Sequence, residues 1–118
     1  MKDTISLKCI SIAGNSIFVK QQNEIIKINI DDLIYVKSNQ NTVILQSTNN
    51  KFTVSSSMIN VENLLSKKGF YRISRSHIVR INKIDIIGIT FIKMGDLKIA
   101  IGAGYKRAFF NILSLVNS

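Results

Sequence analysis

The stretch Phe70–Ile81, FYRISRSHIVRI, combines the apolar spacing of a buried strand with three arginines, two serines and the chain's only histidine. In an extended conformation, alternate residues project to opposite sides of a strand. Arg72, Ser74 and Ser76 then share one side. A bend at the serines would bring Arg75 beside Arg72, which would gather two cations at one place.

Side chains of this kind are suited to binding an anion. Arginine offers a rigid fork of donors for phosphate oxygens or guanine edges, and serine hydroxyls and backbone amides are common phosphate donors. The pattern is equally typical of a solvated strand edge kept soluble by charge, and the residues alone leave both interpretations open. His77 is either a phosphate ligand or a hydrogen-bonded structural histidine, and the second is favoured.

Positive charge is concentrated in the half of the chain that contains this stretch. The net charge is +9 and the pI is about 9.9. Residues 1–60 hold six lysines and four acidic residues, a net +2, whereas residues 61–118 hold ten Lys/Arg and three acidic residues, a net +7. Such a field attracts polyanions, of which nucleic acid and anionic membrane are the usual candidates.

Length and composition indicate one folded domain over residues 1–118. The chain is 46% hydrophobic and 19% charged, so it can bury enough apolar surface to offset the entropy of folding. No apolar run reaches the roughly 18 residues that span a bilayer, and the N-terminus lacks a secretory signal, which predicts a cytoplasmic protein without a membrane partner. The single Cys9 excludes an intrachain disulfide and is interpreted as a small buried hydrophobe rather than a reactive thiol.

Short segments rich in isoleucine and valine predict six strands before residue 55. They cover residues 5–12, 16–21, 24–30, 33–38, 42–47 and 51–54. The breaks between them are short and rich in Asn, Asp, Gly and Gln, which predicts antiparallel hairpins.

The second half predicts a helix, further strands and a final helix. Apolar residues recur at helical spacing after three serines that can cap a first turn; they are Met58, Val61, Leu64 and Leu65. Lys67 and Lys68 suit the end of that helix, and Gly69 suits its C′ position. Segments 83–92 and 97–101 predict a hairpin. Residues 105–116 predict a helix with an apolar face of Phe109, Ile112, Leu113 and Val116.

Catalysis and metal binding have little support in the sequence. The seven acidic residues are scattered, and the adjacent pair Asp31 and Asp32 would point to opposite faces of a strand. Metal-ligand spacing is absent, and GAGY at 102–105 lacks the rest of either phosphate-binding signature. We therefore expect no catalytic residues, no metal and no cofactor.

Three blocks of the chain resemble the LytTR-type (LytR/AlgR) DNA-binding domains of bacterial transcription regulators. The family pattern of Phe, any residue, Arg, an apolar residue, His-Arg-Ser and Ile-Val-Asn is similar to GFYRISRSHIVRINKIDII at 69–87. The matching positions are Phe70, Arg72, Arg75, Ser76, Ile78, Val79 and Ile84. The segments INIDDLIYVKSNQNTVIL at 28–45 and LKIAIGAGYKRAF at 97–109 resemble the family's strand-turn-strand and its closing strand, loop and helix. Together the blocks cover about residues 24–116.

The resemblance implies a mainly β, elongated fold of small, mostly antiparallel sheets with one or two short helices, which presents loops to DNA. The turn after IYVK would enter a major groove, the Arg-Ser phrase would follow the backbone and minor groove, and the loop at 102–107 would enter the next major groove. Asn and Gln can pair with adenine, although an ordinary Asn-rich turn is the alternative for SNQN. The expected DNA-binding residues are Lys37, Asn39, Gln40, Asn41, Thr42, Arg72, Ser74, Arg75, Ser76, His77, Lys106 and Arg107.

The expected function is a sequence-specific regulator of transcription that binds double-stranded DNA. Ala103 stands where the family often has an arginine, Ser74 replaces a usual His, and Arg80 replaces a usual Asn. The loss of arginine at Ala103 favours one alternative, a protein-interaction module that regulates another transcription factor. Single-strand binding is a third interpretation, which only Tyr71 beside Arg72 supports.

Family members usually carry a receiver domain before this one, and none fits in the first 23 or so residues. We therefore expect control by abundance, by a partner protein that supplies the signal, or by another input. Because family members often occupy tandem half-sites, the resemblance is also compatible with a dimer on DNA.

Overall fold

The computed structural model describes residues 10–117, the side chains of Ser11 and of 114–117 excepted. Over this range the chain forms eleven strands and two α-helices. The strands are β1 (Ile10–Ala13), β2 (Ser16–Gln21), β3 (Glu24–Asn29), β4 (Leu33–Asn39), β5 (Thr42–Ser47), β6 (Lys51–Val54), β7 (Phe70–Ser74), β8 (His77–Arg80), β9 (Ile86–Ile87), β10 (Phe91–Met94) and β11 (Leu97–Ala100). The helices are α1 (Met58–Leu65) and α2 (Ala103–Asn117).

The strands form three antiparallel sheets. The first has the order β1-β2-β3, the central one β6-β5-β4-β8-β7, and the third β11-β10-β9. The molecule measures 55 × 26 × 25 Å along its principal axes. The expected elongated, mainly β fold is therefore confirmed. No helix within the described range is long and apolar enough to cross a membrane.

The central sheet supplies side chains to two hydrophobic cores. Val36 pairs with Ile78 across β4 and β8, and both lie in the core shared with the first sheet and α1. The next pair, Tyr35 with Val79, faces the core shared with the third sheet and α2. Because successive strand residues alternate between faces, one sheet can be covered on both sides, and its strands are then fixed in register.

The predicted strands between residues 16 and 54 agree with β2 to β6 to within a residue. The predicted segment 5–12 overlaps β1, and its part with Cys9 lies outside the described residues. Among the three serines, Ser57 is the cap of α1, since its side chain accepts a hydrogen bond from the Asn60 amide at 3.1 Å. Gly69 has a left-handed φ of +85°, but it ends the turn after α1 rather than occupying C′, because the helix stops at Leu65.

Two predicted boundaries in the second half are wrong. Segment 83–92 is not one strand: β9 has two residues, and the chain leaves the sheet at 88–90 before β10. At Gly88 a Cβ would lie 2.7 Å from the Phe91 ring, so the ring packs over the bare backbone. The final helix starts at Ala103, because the Gly102 carbonyl already accepts from the Tyr105 amide at 2.9 Å. The expected loop at 102–107 is therefore mostly the first turns of α2.

Candidate nucleic-acid interface

Two hairpin turns lie side by side at one end of the central sheet. Asn39 pairs with Thr42 around the tip of the β4–β5 hairpin, and Ser74 pairs with His77 around the tip of the β7–β8 hairpin. The hairpins are neighbours because β4 pairs with β8, with Lys37 opposite His77. The Ser38 amide also donates to the Ser76 carbonyl at 2.9 Å.

The start of α2 reaches the same place. The Gly102 amide donates to the Ile73 carbonyl at 2.8 Å, which fixes the entry to α2 against the end of β7. We call the resulting surface the turn end; it comprises Lys37, residues 39–42, residues 72–77 and residues 102–107. The structure therefore brings together all three segments that the sequence predicted as DNA-binding.

The β4–β5 turn presents amide side chains to solvent. Asn39, Gln40 and Asn41 are exposed, and Gln40 has a φ of 58°, an uncommon conformation for a residue other than glycine. The Thr42 hydroxyl donates to the Asn39 carbonyl at 2.9 Å, which closes the turn. The turn is thus held by its own hydrogen bond while its amides stay available for an external partner.

Sequence reasoning missed a shallow cleft beside this turn. The residues that line it come from the β4–β5 hairpin and the start of α1; they are Ser38, Gln40, Asn41, Thr42, Ser56, Ser57 and Met58. The sequence had identified the serines only as helix caps. Val54 at the end of β6 pairs with Val43 near the start of β5, so the serines that follow β6 lie beside the β4–β5 turn.

Arg72 is held within the protein rather than presented to solvent. Its side chain is 15% exposed and forms an ion pair with Glu62 at 3.1 Å. Its Nε donates to the Ser74 carbonyl at 3.2 Å, and its Nη2 donates to the Arg75 carbonyl at 2.7 Å. The guanidinium carbon also lies 5.8 Å from the centre of the Tyr105 ring.

Arg80 is likewise part of the folded framework. Its Nη1 donates to the Ile30 carbonyl and its Nη2 pairs with Asp31 at 3.2 Å, while its guanidinium lies 5.6 Å from the Phe70 ring centre. The hydrogen bond from Arg80 lowers the pKa of Asp31. Of the three arginines in FYRISRSHIVRI, Arg75 is the exposed one, and it lies at the tip of the β7–β8 turn.

His77 is half-buried beside the two serines of that turn. Its Nδ1 lies 3.1 Å from the Ser76 hydroxyl and 3.4 Å from the Ser74 hydroxyl. Burial, followed by the positive charge of Lys37, lowers the pKa of His77 below its ordinary value. This geometry favours a neutral, hydrogen-bonded ring, and a phosphate contact from His77 stays a prediction.

Lys106 and Arg107 extend the cationic surface onto α2. Lys106 is half-buried and Arg107 is exposed in the first turns of the helix. With Lys37 and Arg75 they bring four cations to the turn end. None of these four forms an ion pair with a carboxylate of the described residues. Glu62 also approaches this end, but its charge is paired with Arg72.

Comparison with known proteins gives matches of two kinds. The family model of the LytTr DNA-binding domain matches residues 23–114. A solved structure from Bacillus cereus, the LytTr DNA-binding domain of a protein described as a methyl-accepting/DNA response regulator, has a TM-score of 0.74 at 20% identity, over 86% of this chain and 98% of that one. No curated protein matches the chain significantly.

Proposed function

The chain belongs to the family of LytTR DNA-binding domains, and on that premise we propose that it regulates transcription by binding duplex DNA sequence-specifically through the turn end. The observation that carries the proposal is the convergence of both hairpin turns and the start of α2 at one end of the central sheet. Turns separated by more than thirty residues in sequence thereby form one continuous polar and cationic surface.

We assign different tasks to the segments of this surface. The exposed amides of Asn39, Gln40 and Asn41, with the Thr42 hydroxyl, have the donors and acceptors needed to read base edges in a major groove. Phosphate contacts would come from the cations Lys37, Arg75, Lys106 and Arg107. The uncharged side chains of Ser74, Ser76 and His77 would lie beside them along the DNA backbone. Phosphate contacts would supply most of the affinity, and the β4–β5 turn would supply most of the specificity.

Selection of bound fragments from a bacterial genome tests the proposal directly. The protein is mixed with random genomic duplex, retained fragments are sequenced, and binding is then compared between a selected duplex, a random duplex and each single strand. We expect enrichment of a shared sequence and tighter binding to the selected duplex than to the others. Retention of no duplex would support the alternative of a protein-interaction module. Tighter binding to single strands than to duplex would support the alternative of a single-strand binder.

Replacement of Asn41 tests the reading turn. Asn41→Ala should narrow the affinity ratio between selected and random duplex about tenfold, because a bidentate amide contact to adenine gives roughly 1–3 kcal/mol of discrimination. Asn82→Ala is the matched control, since Asn82 is exposed near the opposite end of the central sheet. An unchanged ratio in Asn41→Ala would remove this amide from base recognition.

Two further assignments follow from DNA as the ligand. A regulator of this family would act in the cytoplasm, where bacterial DNA lies. If the operator consists of tandem half-sites, we propose that two copies bind side by side. We also propose that a protein partner supplies the regulatory signal. Sedimentation of the protein with the selected duplex tests whether two copies bind side by side. A duplex with one half-site should carry one copy of the protein, and a duplex with two half-sites should carry two copies.

A further inference from the structure

We propose that Arg72 is a positioning residue, which fixes the β7–β8 turn between α1 and α2 so that Arg75 reaches the DNA backbone, and that Arg72 does not itself contact DNA. This inference rests on the proposed function. The sequence alone predicts a different role for Arg72, because its guanidinium is a candidate phosphate ligand.

The hydrogen bonds of Arg72 are directed at the turn itself. Of its five N–H donors, one is used on the Ser74 carbonyl, one on the Arg75 carbonyl and one on Glu62. The two carbonyls belong to the last residue of β7 and to the first residue of the tight turn that follows it. Arg72 therefore ties the backbone at which the Arg75 side chain begins.

The opposite side of the turn is held independently. The Ser38 amide donates to the Ser76 carbonyl at 2.9 Å, and the Ser76 amide donates to the Ser74 hydroxyl at 3.3 Å. With Arg72 on the other side, the turn is fixed from both neighbours. Loss of Arg72 would free one side only, so we expect a looser turn on an intact sheet.

Electrostatics also argue against Arg72 as a phosphate ligand. Glu62 pairs with its guanidinium at 3.1 Å, so the pair presents little net positive charge to DNA. A phosphate that approached Arg72 would meet the Glu62 carboxylate or have to displace it, and either costs free energy. Arg75 is exposed at the turn tip, where a phosphate can approach it without this competition.

Arg72 also connects the turn with α2. Its guanidinium lies 5.8 Å from the centre of the Tyr105 ring, within the range of a cation–π contact. Tyr105 directly precedes Lys106 and Arg107, the cations that α2 brings to the turn end. One side chain thus contacts the turn, α1 through Glu62, and the start of α2.

A double-mutant cycle with Arg72→Gln and Arg75→Gln separates positioning from direct contact. Arg72→Gln should weaken binding to the selected duplex about tenfold, the size expected when charge-assisted hydrogen bonds are lost. If Arg72 acts through Arg75, the double variant should lose clearly less affinity than the product of the two single losses. Multiplicative losses, with the salt slope reduced by about 0.9 for each arginine, would show two separate phosphate contacts and overturn the inference.

Arg72→Lys provides a second test in a protein that keeps the charge. Lysine is a point charge without the planar fork, so it cannot reproduce three hydrogen bonds in different directions. We expect Arg72→Lys to bind nearly as weakly as Arg72→Gln, with thermal unfolding used to verify that each variant is folded. Restoration of wild-type affinity and salt slope by lysine would overturn the inference while leaving the proposed function intact. A wild-type chain that binds no duplex would instead overturn both.

Discussion

The three arginines of FYRISRSHIVRI have one chemistry but different environments. The sequence predicted an extended segment in which a bend at the serines would be needed to bring Arg72 and Arg75 together. The structure has a turn between β7 and β8 at this place, and there the Arg72 guanidinium contacts the Arg75 carbonyl. The sequence did not indicate that Arg80 would pair with Asp31 or that Arg72 would pair with Glu62, because those partners lie 49 and 10 residues away. Tertiary packing thus decides which arginine stays exposed. The alternating pattern along one strand gives no information about that packing.

His77 leads to a prediction about pH and stability. Its folded-state pKa is lowered by burial and by Lys37, so between that value and the ordinary value of 6.5 the unfolded chain binds a proton that the folded chain does not. Stability from this residue is therefore complete above about pH 6.5 and is lost as pH falls toward the lowered pKa. We expect the midpoint temperature of thermal unfolding to decrease as the pH is lowered from 7.5 to 5.5.

His77→Gln is the control for this effect, because His77 is the chain's only histidine. The variant should show a smaller fall in midpoint over the same pH range, since no other side chain has an ordinary pKa near 6.5. Equal falls in the two proteins would show that the ring contributes nothing to acid sensitivity. The hydrogen-bond partners Ser74 and Ser76 stay unchanged in this comparison.

At the scale of strands and helices, local sequence patterns predicted which elements are present better than they predicted where each element begins and ends. β2 to β6 are short segments rich in isoleucine and valine that are separated by turn residues, so their limits could be predicted closely. Between Ile81 and β10 the prediction failed, because isoleucines continue through the segment while a 3-10 turn (Ile81–Lys83) and residues 88–90 interrupt the strand. Gly88 was the local indication, and its meaning depended on the Phe91 ring.

Two glycines near the start of α2 should respond oppositely to alanine. At Gly102 a Cβ would lie 3.1 Å from Tyr105 Cδ2 and 3.3 Å from Ser74 Cα, so Gly102→Ala would push α2 away from the β7–β8 turn. We expect a loss of about 1 kcal/mol in the free energy of unfolding and weaker binding to duplex, because backbone atoms cannot move aside cheaply. Urea unfolding and duplex titration measure the two effects.

Gly104→Ala is the matched substitution two residues further on. No atom within 4 Å would meet the new Cβ, and alanine favours the helical conformation. This variant should gain about 0.5 kcal/mol in the free energy of unfolding, less than in a helix interior because it lies in the first turn. A gain in the free energy of unfolding for Gly102→Ala would contradict the close packing of Gly102 on Ser74.

At the scale of the whole molecule, the central sheet explains why distant turns become one surface. It is covered on both faces, by the first sheet with α1 and by the third sheet with α2, so its strands have fixed register. The antiparallel pairing of β4 with β8 then places the tips of both hairpins at the same end. Lys67 and Lys68 after α1, and Lys83 after β8, lie near the other end of the sheet, so charge along the sequence did not indicate which cations come together.

The salt dependence of binding should report the number of cations at the turn end. Lys37, Arg75, Lys106 and Arg107 predict a slope of about −3.6 for log affinity against log salt, since each phosphate neutralised contributes about −0.9. A fifth contact from Arg72 would bring the slope to about −4.5. Because Arg72 is paired with Glu62, we expect the smaller slope.

Single replacements assign that slope to residues. Arg107→Gln and Lys37→Gln should each reduce its magnitude by about 0.9, and they should weaken binding to selected and random duplex alike. Lys67→Gln and Lys83→Gln are matched controls, since both lysines are exposed and lie after α1 and β8, near the opposite end of the central sheet. If the controls reduce the slope as much as the turn-end variants do, DNA binds through general positive charge rather than through the turn end.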